Sequence, residues 1–422
     1  MNLKKISLAL LLILFSYTAF TQEKPLKVRP DAFPPVEEYG DTKALQMANT
    51  VDEMANWDRY PTYETYMQMM QQWTEKFPTL CHVDTMGTSV QGRLILSMYI
   101  QVQTFDEMYR PEFFYTSTMH GDELTGFVMM LRLIDTLLNG YGNNQQYTDL
   151  INRTRISINP LSNPDGTYRS GNNTVQGSVR YNANNVDLNR NFPDPFGTAP
   201  LNPQQVETAA MIEYAQNHNF RLSANLHGGS EVMNYPWDSY TSAEQPHPHR
   251  DWWIEVCKRF VDTSRNYSNS HFRDVSNSGY IAGGDWYVIP NGRQDYMNYY
   301  HNCLEMTMEV STLKKLSSNM LPEYWRFLQH SLVNYIGEIH SLPNGTNAIS
   351  DIVKPTLRIV PNPTRDRILI DSETSEPVLI FDMRGHCVIE RPAGTRLIDL
   401  QSLPYGIYIL RCGTSTAKVV RQ

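Results

Sequence analysis

Long apolar runs are absent from most of this sequence. The one lipid-like stretch, residues 6–15, follows two lysines at the start of the chain and is shorter than the roughly 20 residues of a membrane-spanning helix. A short apolar segment behind positive charge indicates a secretory signal peptide, which we place at residues 1–21 with cleavage near Thr21. We therefore expect an exported mature chain without a transmembrane segment.

Positive charge is scarce as well. The chain has 36 lysine and arginine residues against 44 aspartate and glutamate residues, which gives a formal net charge of −8. Loss of the two signal lysines makes the mature chain more acidic still. Proteins that bind nucleic acids need basic surfaces to neutralise phosphates, so nucleic acid is not expected as a partner.

Cysteine is also rare, with five residues and no CxxC spacing. This scarcity argues against a zinc site made of thiolates and against a dithiol redox motif. Export to an oxidising compartment would permit a disulfide, and Cys257 with Cys303 is one such pair.

Turn residues and patterning divide the chain into segments. Residues 22–59 are polar and rich in proline, which predicts an N-terminal leader on the surface, with ordered structure beginning near Tyr60. Residues 60–342 alternate strand and helix patterns, so we predict an α/β domain with a mixed central β-sheet flanked by helices. Turn-forming residues 343–355 predict a linker. Short, evenly spaced strand patterns in residues 356–422 predict a small C-terminal β-sandwich.

The stretch HGDE, residues 120–123, places a histidine and a glutamate between a strand pattern and a helix pattern. By itself it could be an ordinary polar turn, and the stretch alone favours that interpretation. A second histidine, His227, follows another strand pattern and precedes two glycines. Two neutral imidazoles and one carboxylate, here those of His120, Glu123 and His227, are the usual protein ligands of catalytic zinc, with the fourth position open to water.

A zinc-activated water still needs a base, and the strand pattern CLEMTMEVS offers two glutamates. Alternation places Glu305 and Glu309 on the same face, opposite the apolar residues. Periodicity alone leaves both as candidates for the base.

The loop VRYNANNVDLNRNFPD, residues 179–194, crowds asparagines between arginines. Such a composition is compatible with a plain polar loop. It is also compatible with substrate binding, because Asn189 and Arg190 offer planar donors for a carboxylate and Arg180 is a further cation for an oxyanion.

Five motifs in this order, HGDE, NPDG (163–166), VDLNRNFPD, ANLHGG and TMEVS, resemble those of the zinc metallocarboxypeptidases. The regulatory branch of carboxypeptidases D, E, M and N is the most similar, over roughly residues 60–340. The resemblance implies one Zn²⁺ in the catalytic domain, held by His120, Glu123 and His227.

The resemblance also implies the roles of other residues. Of the two strand glutamates, Glu309 falls at the position of the general base, and Glu305 does not. Arg180 corresponds to the residue that stabilises the oxyanion, and Asp187 to a partner that orients a ligand imidazole. The clamp for the terminal carboxylate of a peptide corresponds to Asn189 and Arg190, and the tyrosine that closes over substrate corresponds to Tyr287.

The resemblance also implies two residues that determine substrate specificity. Asp238 and Gln294 match the pocket of family members that remove C-terminal arginine or lysine, and a cationic side chain needs a carboxylate there. The alternative is that Asp238 only caps the turn in YPWDSY. The sequence departs from the regulatory branch at Tyr181 and Arg293. An inward-turned Arg293 would neutralise Asp238, and Glu231 would add a negative charge near the pocket.

The C-terminal segment resembles the sorting domain of type IX secretion, through VPNPTRDRILI, IFDMRG and LPYGIYIL. This implies that the secretion machinery is a partner. It also implies export through the periplasm and outer membrane of a Gram-negative bacterium, to the medium or the cell surface. Two competing functions are a carboxypeptidase of cell-wall stem peptides and a catalytically inactive surface protein that binds peptides. The inactive protein would be expected to lack ligands or base, and none is missing from the sequence.

Overall fold

The protein is described from a computed structural model, which covers residues 45–102, 110–343, 359–370, 376–382, 386–413 and 415–421. The predicted signal peptide and the first part of the predicted leader lie outside the described residues, and so does the predicted linker except for residue 343. None of the described helices combines the length and the apolar character that a membrane crossing requires.

Ordered structure begins before Tyr60, earlier than the composition of the leader predicts. Strand β1 (Met47–Ala48) pairs in parallel with β2 (Tyr60–Pro61). The amide of Gln46 donates to Ser318 Oγ at 2.7 Å, which ties this segment to a distant part of the chain. A few buried side chains are enough to order this short polar segment. They form no hydrophobic periodicity by which the sequence could reveal them.

An eight-stranded mixed sheet forms the centre of the α/β domain, with strand order β3-β4-β6-β5-β7-β10-β8-β9. Its strands are β3 (Cys81–Thr88), β4 (Leu94–Ile100), β5 (Glu112–Ser117), β6 (Arg155–Asn159), β7 (Phe220–His227), β8 (Ser230–Tyr235), β9 (Tyr280–Ala282) and β10 (Leu304–Ser311). The neighbours β6, β5, β7 and β10 are parallel, so their carboxyl ends meet at one edge of the sheet, where open α/β sheets bind ligands.

Helices cover the sheet. They are α1 (Tyr63–Lys76), α2 (Thr125–Gly140), α3 (Gln145–Arg153), α4 (Pro164–Thr167), α5 (Val206–Gln216), α6 (Arg250–Arg265), α7 (Gly283–Trp286), α8 (Arg293–Tyr300) and α9 (Leu321–Gly337). One large apolar cluster joins α1, α2, α6 and α9 to the sheet, and a smaller, separate cluster contains residues of α5 and α8. The predicted fold class, a mixed sheet flanked by helices, is confirmed.

Two antiparallel sheets follow in the C-terminal segment. The first contains β11 (Ile359–Val360), β12 (Arg367–Ile370) and β15 (Leu397–Asp399), and the second contains β13 (Val378–Phe381), β14 (Cys387–Arg391), β16 (Gly406–Cys412) and β17 (Ser415–Arg421). One aliphatic cluster draws residues from both sheets, and Ile368 and Ile370 alternate into it from β12. This packing is that of a small β-sandwich, as predicted.

All five cysteines are free thiols, so the considered pair Cys257 with Cys303 is not formed. Both side chains are buried. Cys257 lies on α6 in the large apolar cluster, whereas Cys303 precedes β10 and its sulfur is 3.1 Å from Ser223 Oγ. The two thiols therefore belong to different surroundings.

Candidate metal centre and substrate pocket

Three buried donor groups converge at the carboxyl ends of two central strands. His120 lies in the turn between β5 and α2, Glu123 lies in the same turn, and His227 ends β7. Their ligand atoms form a potential metal site. The Nδ1 atoms of His120 and His227 are 3.0 Å apart. Glu123 Oε1 lies 2.9 Å from His120 Nδ1, and Glu123 Oε2 lies 2.8 Å from His227 Nδ1.

The outer nitrogen of each imidazole faces an acceptor. His120 Nε2 is 3.1 Å from Asp187 Oδ1, and His227 Nε2 contacts Asn225 Oδ1. The orientation of the Asn225 amide follows from its Nδ2, which donates to Glu305 Oε1 at 3.1 Å. These acceptors assign the ring protons to Nε2, so both Nδ1 atoms carry electron pairs that can accept a hydrogen bond or bind a cation, and Arg180 Nη1 donates to that of His120 at 3.1 Å.

Electron pairs of two imidazoles and a carboxylate therefore point at one another, which favours a cation between them. Around a tetrahedral zinc ion with bonds of about 2.0–2.2 Å, donor atoms are about 3.3–3.6 Å apart. The observed separations of 2.8–3.0 Å are slightly shorter. A small outward movement of the three side chains fits zinc, and Asp187 and Asn225 orient the imidazoles from behind.

Two cationic side chains border the three ligands. Arg180 Nε donates to Asp187 Oδ2 at 2.9 Å, while its Nη1 lies 3.6 Å from Glu123 Oε1. Lys314 Nζ is 3.4 Å from the same oxygen. Burial raises the pKa of Asp187, but Arg180 and His120 outweigh burial and hold that pKa well below its usual value. Asp187 is therefore a charged anchor for both an imidazole and a guanidinium.

The two glutamates of β10 have different surroundings, although they share a face. Glu305 is fully buried and lies 3.0 Å from the guanidinium Nη2 of Arg293, and it also accepts from Ser223 Oγ at 2.7 Å. Glu309 is next to His227 across the β7–β10 pairing. Its Oε2 is buried and has no hydrogen-bond partner among the described residues. Burial and Glu123 raise the pKa of Glu309 well above its usual value.

The predicted carboxylate clamp lies beside this centre. The carboxylate of Asp187 caps the 3₁₀ turn Leu188–Arg190 by accepting from the amide of Asn189. Arg190 Nη1 donates to the carbonyl oxygen of Asn189 at 2.8 Å. Tyr287 follows α7, and burial together with nearby Glu309 raises its pKa, so its phenol remains a proton donor.

The side chains of Asp238 and Gln294, predicted to form the specificity pocket, are both buried and in contact. Gln294 Nε2 donates to Asp238 Oδ1 at 2.8 Å, and Gln294 Oε1 accepts from the amide of Thr307 at 2.6 Å. The Asp238 carboxylate lies directly over Gly283, where an added Cβ would be 1.8 Å from Oδ1. Burial and Asp295 raise the pKa of Asp238 well above its usual value. A carboxylate in this position favours a positive partner.

Arg293 and Glu231, whose charges were expected to alter the predicted pocket, have other partners. The Arg293 side chain is turned inward, but the carboxylate beside it is that of Glu305, not that of Asp238. Glu231 accepts from Tyr324 OH at 3.1 Å and lies 3.3 Å from His271 Nε2. Its charge therefore belongs to a separate buried cluster.

Sequence reasoning missed three residues of this region. Asp295 accepts from the amides of Asp238 and Ser239, each at 2.9 Å, so it performs the turn capping considered for Asp238. Asn225 orients His227. Alternation within β7 places the two side chains on the same face, so the sequence pattern could have identified Asn225 as a neighbour of this ligand. Lys314 lies after β10 and has no pattern that marks it.

Comparison with known proteins shows which families the chain resembles. Residues 66–330 match the zinc carboxypeptidase family, and residues 358–422 match the secretion system C-terminal sorting domain. Carboxypeptidase D of Anas platyrhynchos is 34% identical over 285 residues, which cover 64% of this chain and 20% of that protein. Carboxypeptidase M of Mus musculus is 33% identical over 294 residues, which cover 67% of this chain and 66% of that protein.

The match thus spans about a fifth of carboxypeptidase D and just under two thirds of carboxypeptidase M. Among solved structures, the thrombin activatable fibrinolysis inhibitor has a TM-score of 0.56 at 16% identity, with 68% of this chain and 74% of that chain covered. Carboxypeptidase A from Helicoverpa armigera also has a TM-score of 0.56, at 19% identity, with 69% and 77% covered. At these identities the structures show a common fold.

Proposed function

The chain belongs to the zinc carboxypeptidase family, and from that premise we propose that it is a secreted exopeptidase that removes C-terminal arginine or lysine from peptides and proteins. The observation that carries the proposal is the convergence of two unprotonated imidazole nitrogens and a carboxylate beside Glu309, one oxygen of which has no hydrogen-bond partner in the part of the chain that the structure describes. An inactive peptide-binding protein would have no need for this costly arrangement.

One zinc ion fits between His120, Glu123 and His227, where all three donors are buried. When bound, zinc supplies a Lewis acid that activates water and polarises a carbonyl group. Asp187 and Asn225 hold the two imidazoles in the tautomer that leaves Nδ1 free. The protein therefore contributes a preorganised set of ligands.

Glu309 is the proposed general base. Its free carboxylate oxygen accepts a proton from the attacking water, and the resulting acid then protonates the departing amine. Burial and Glu123 raise the pKa of Glu309 in the site without metal, and a cation bound by Glu123 would favour the charged carboxylate that accepts the proton. Arg180 is the proposed stabiliser of the negative charge that develops on the carbonyl oxygen, and Asp187 holds its guanidinium beside the site.

Exopeptidase selectivity follows from the proposed clamp of Asn189 and Arg190. A free terminal carboxylate satisfies planar donors of this kind, whereas a chain that continues past the scissile bond cannot offer one there. Tyr287 would close over the bound residue with its phenol protonated. The side chain of the last residue would then enter the pocket of Asp238 and Gln294.

Removal of the metal is expected to abolish hydrolysis, and added zinc should restore it, because the chain supplies three ligands and the ion activates the water. The test uses a peptide ending in arginine and measures release of that amino acid before chelation, after dialysis against a chelator, and after addition of zinc. Full activity of protein shown by metal analysis to be zinc-free would contradict the proposal.

The sorting domain supports export, and we propose that the secretion machinery carries the protein across the outer membrane through this segment. Deletion of residues 356–422 should leave an active enzyme in the periplasm, because the proposed catalytic and substrate-binding residues lie in the α/β domain. The measurement is carboxypeptidase activity in periplasm and medium, with the full chain as control. Unchanged export of the truncated protein would rule out the sorting role.

A further inference from the structure

A buried ion pair lies next to the proposed substrate site and has no part in the proposed chemistry. Arg293 begins α8 and Glu305 lies in β10, and their side chains are 1% and 0% exposed. Arg293 Nη2 is 3.0 Å from Glu305 Oε2, and Nη1 donates to Thr116 Oγ1. The pair therefore fixes the first residue of α8 to the centre of the sheet.

The backbone of Arg293 reaches the proposed carboxylate clamp. Its amide donates to Asn189 Oδ1 at 2.9 Å. Because a backbone amide must donate to an acceptor, this contact shows which end of the Asn189 side-chain amide is the oxygen. The Nδ2 group then faces away from Arg293 and is available to a substrate carboxylate. The position of Arg293 thus sets the orientation of Asn189.

The next two residues of α8 reach the side-chain pocket. Gln294 joins Asp238 to β10 through its two amide atoms, and Asp295 accepts from the amides of Asp238 and Ser239. One helical turn therefore contacts both the clamp and the pocket. Its anchor to the sheet determines the separation between them.

We propose that the Arg293–Glu305 pair is a positioning device that sets the carboxylate clamp and the side-chain pocket at the spacing of one C-terminal residue. The inference rests on the proposed exopeptidase function and extends it to two residues that touch neither metal nor substrate. Glu309 and the three metal ligands lie on β7, β10 and the turn after β5, not on α8. Glu305 also accepts from Asn225, which orients His227, and Glu305→Gln keeps an oxygen that can accept there. The pair should therefore control substrate binding more than the chemical step.

The test removes both charges together in Arg293→Met/Glu305→Gln, because a single substitution would leave an unpaired buried charge. Substrates are two peptides that differ only in a terminal arginine or alanine. We expect KM to rise about tenfold or more for both peptides, with kcat changed much less. The rise should be greater for the arginine peptide, since it uses both the clamp and the pocket. Arg293→Lys keeps the charge without the planar fork and should give a smaller rise in KM.

The matched control is Arg155→Met/Glu112→Gln, which removes another partly buried ion pair, of 2.8 Å, at the amino ends of β5 and β6. It should lower the melting temperature without a change in KM. Melting temperature and zinc content of every variant separate unfolding from misplacement of the site. If the double variant does not fold, Arg293→Lys decides the question alone.

A KM and an arginine-to-alanine preference equal to those of the wild type, in a folded variant at position 293, would overturn the inference. An equal loss of kcat for both peptides, with KM unchanged, would also overturn it. Wild-type protein that loads zinc but hydrolyses neither peptide would instead refute the proposed function, and the positioning role with it.

Discussion

Glu309→Gln is expected to lower kcat on the order of a thousandfold or more, while zinc and peptide binding are retained, because it removes proton transfer and little else. The substitution preserves the size of a side chain whose Oε2 has no hydrogen-bond partner among the described residues. It also leaves His120, Glu123 and His227 in place. The measurements are kcat and KM with a peptide ending in arginine, together with zinc content and inhibitor affinity.

Glu305→Gln is the control for this prediction, because both glutamates lie on the same face of β10. Glu305 is paired with Arg293 and hydrogen-bonded to Ser223, so its neutralisation should affect stability and KM. If Glu305→Gln abolished kcat and Glu309→Gln did not, the assignment of the base would be wrong.

The convergence of His120, Glu123 and His227 could be predicted from the sequence because each histidine follows a strand pattern. Strands β5 and β7 are parallel neighbours, and the carboxyl ends of such strands meet. The motif HGDE then supplies Glu123 in the same turn as His120. Local pattern places each ligand at the end of a strand, whereas the pairing of β5 with β7 that brings these ends together is a long-range feature of the fold.

The choice between Glu305 and Glu309 was beyond periodicity, since alternation gives both the same face. Family resemblance favours Glu309, and packing supports that choice without testing it, because Arg293 lies against Glu305 across the interface of α8 and β10. That contact depends on how a helix docks on a strand. For the same reason the sequence could not show whether an inward Arg293 would meet Asp238 or another carboxylate.

The early strand β1 and the residue Asp295 show a second limit. Strand β1 contains two residues, too few to form a pattern, and its existence depends on pairing with β2. Asp295 lies far along the chain from the turn that it caps. A capping aspartate is recognisable from sequence when it precedes its own turn, but a distant one is not.

The pocket of Asp238 leads to the second large prediction, a preference for C-terminal arginine or lysine over phenylalanine or leucine. The Asp238 carboxylate is buried, and burial and Asp295 raise its pKa well above its usual value. A guanidinium or ammonium group in the pocket favours the charged carboxylate and regains in the ion pair what it loses in hydration. An apolar side chain cannot form this ion pair and leaves the carboxylate without a positive partner.

Asp238→Ala should lower kcat/KM for the arginine peptide on the order of a hundredfold, since truncating one partner of a buried charge pair costs about 2–5 kcal/mol. Values for the leucine peptide should change much less. Gln294 Nε2 would lose its acceptor, so a general loss of packing must be separated from loss of charge.

Asp238→Asn makes that separation, because it keeps the size of the side chain and an oxygen that can accept from Gln294. It should lose the preference for arginine nearly as fully as Asp238→Ala, whereas a role confined to hydrogen bonding would leave the asparagine variant close to wild type. Asp295 already accepts from the amides of the turn, so neither substitution at Asp238 removes the cap. A wild-type preference for phenylalanine or leucine, or an arginine preference that survives both substitutions, would reject Asp238 as the determinant of specificity.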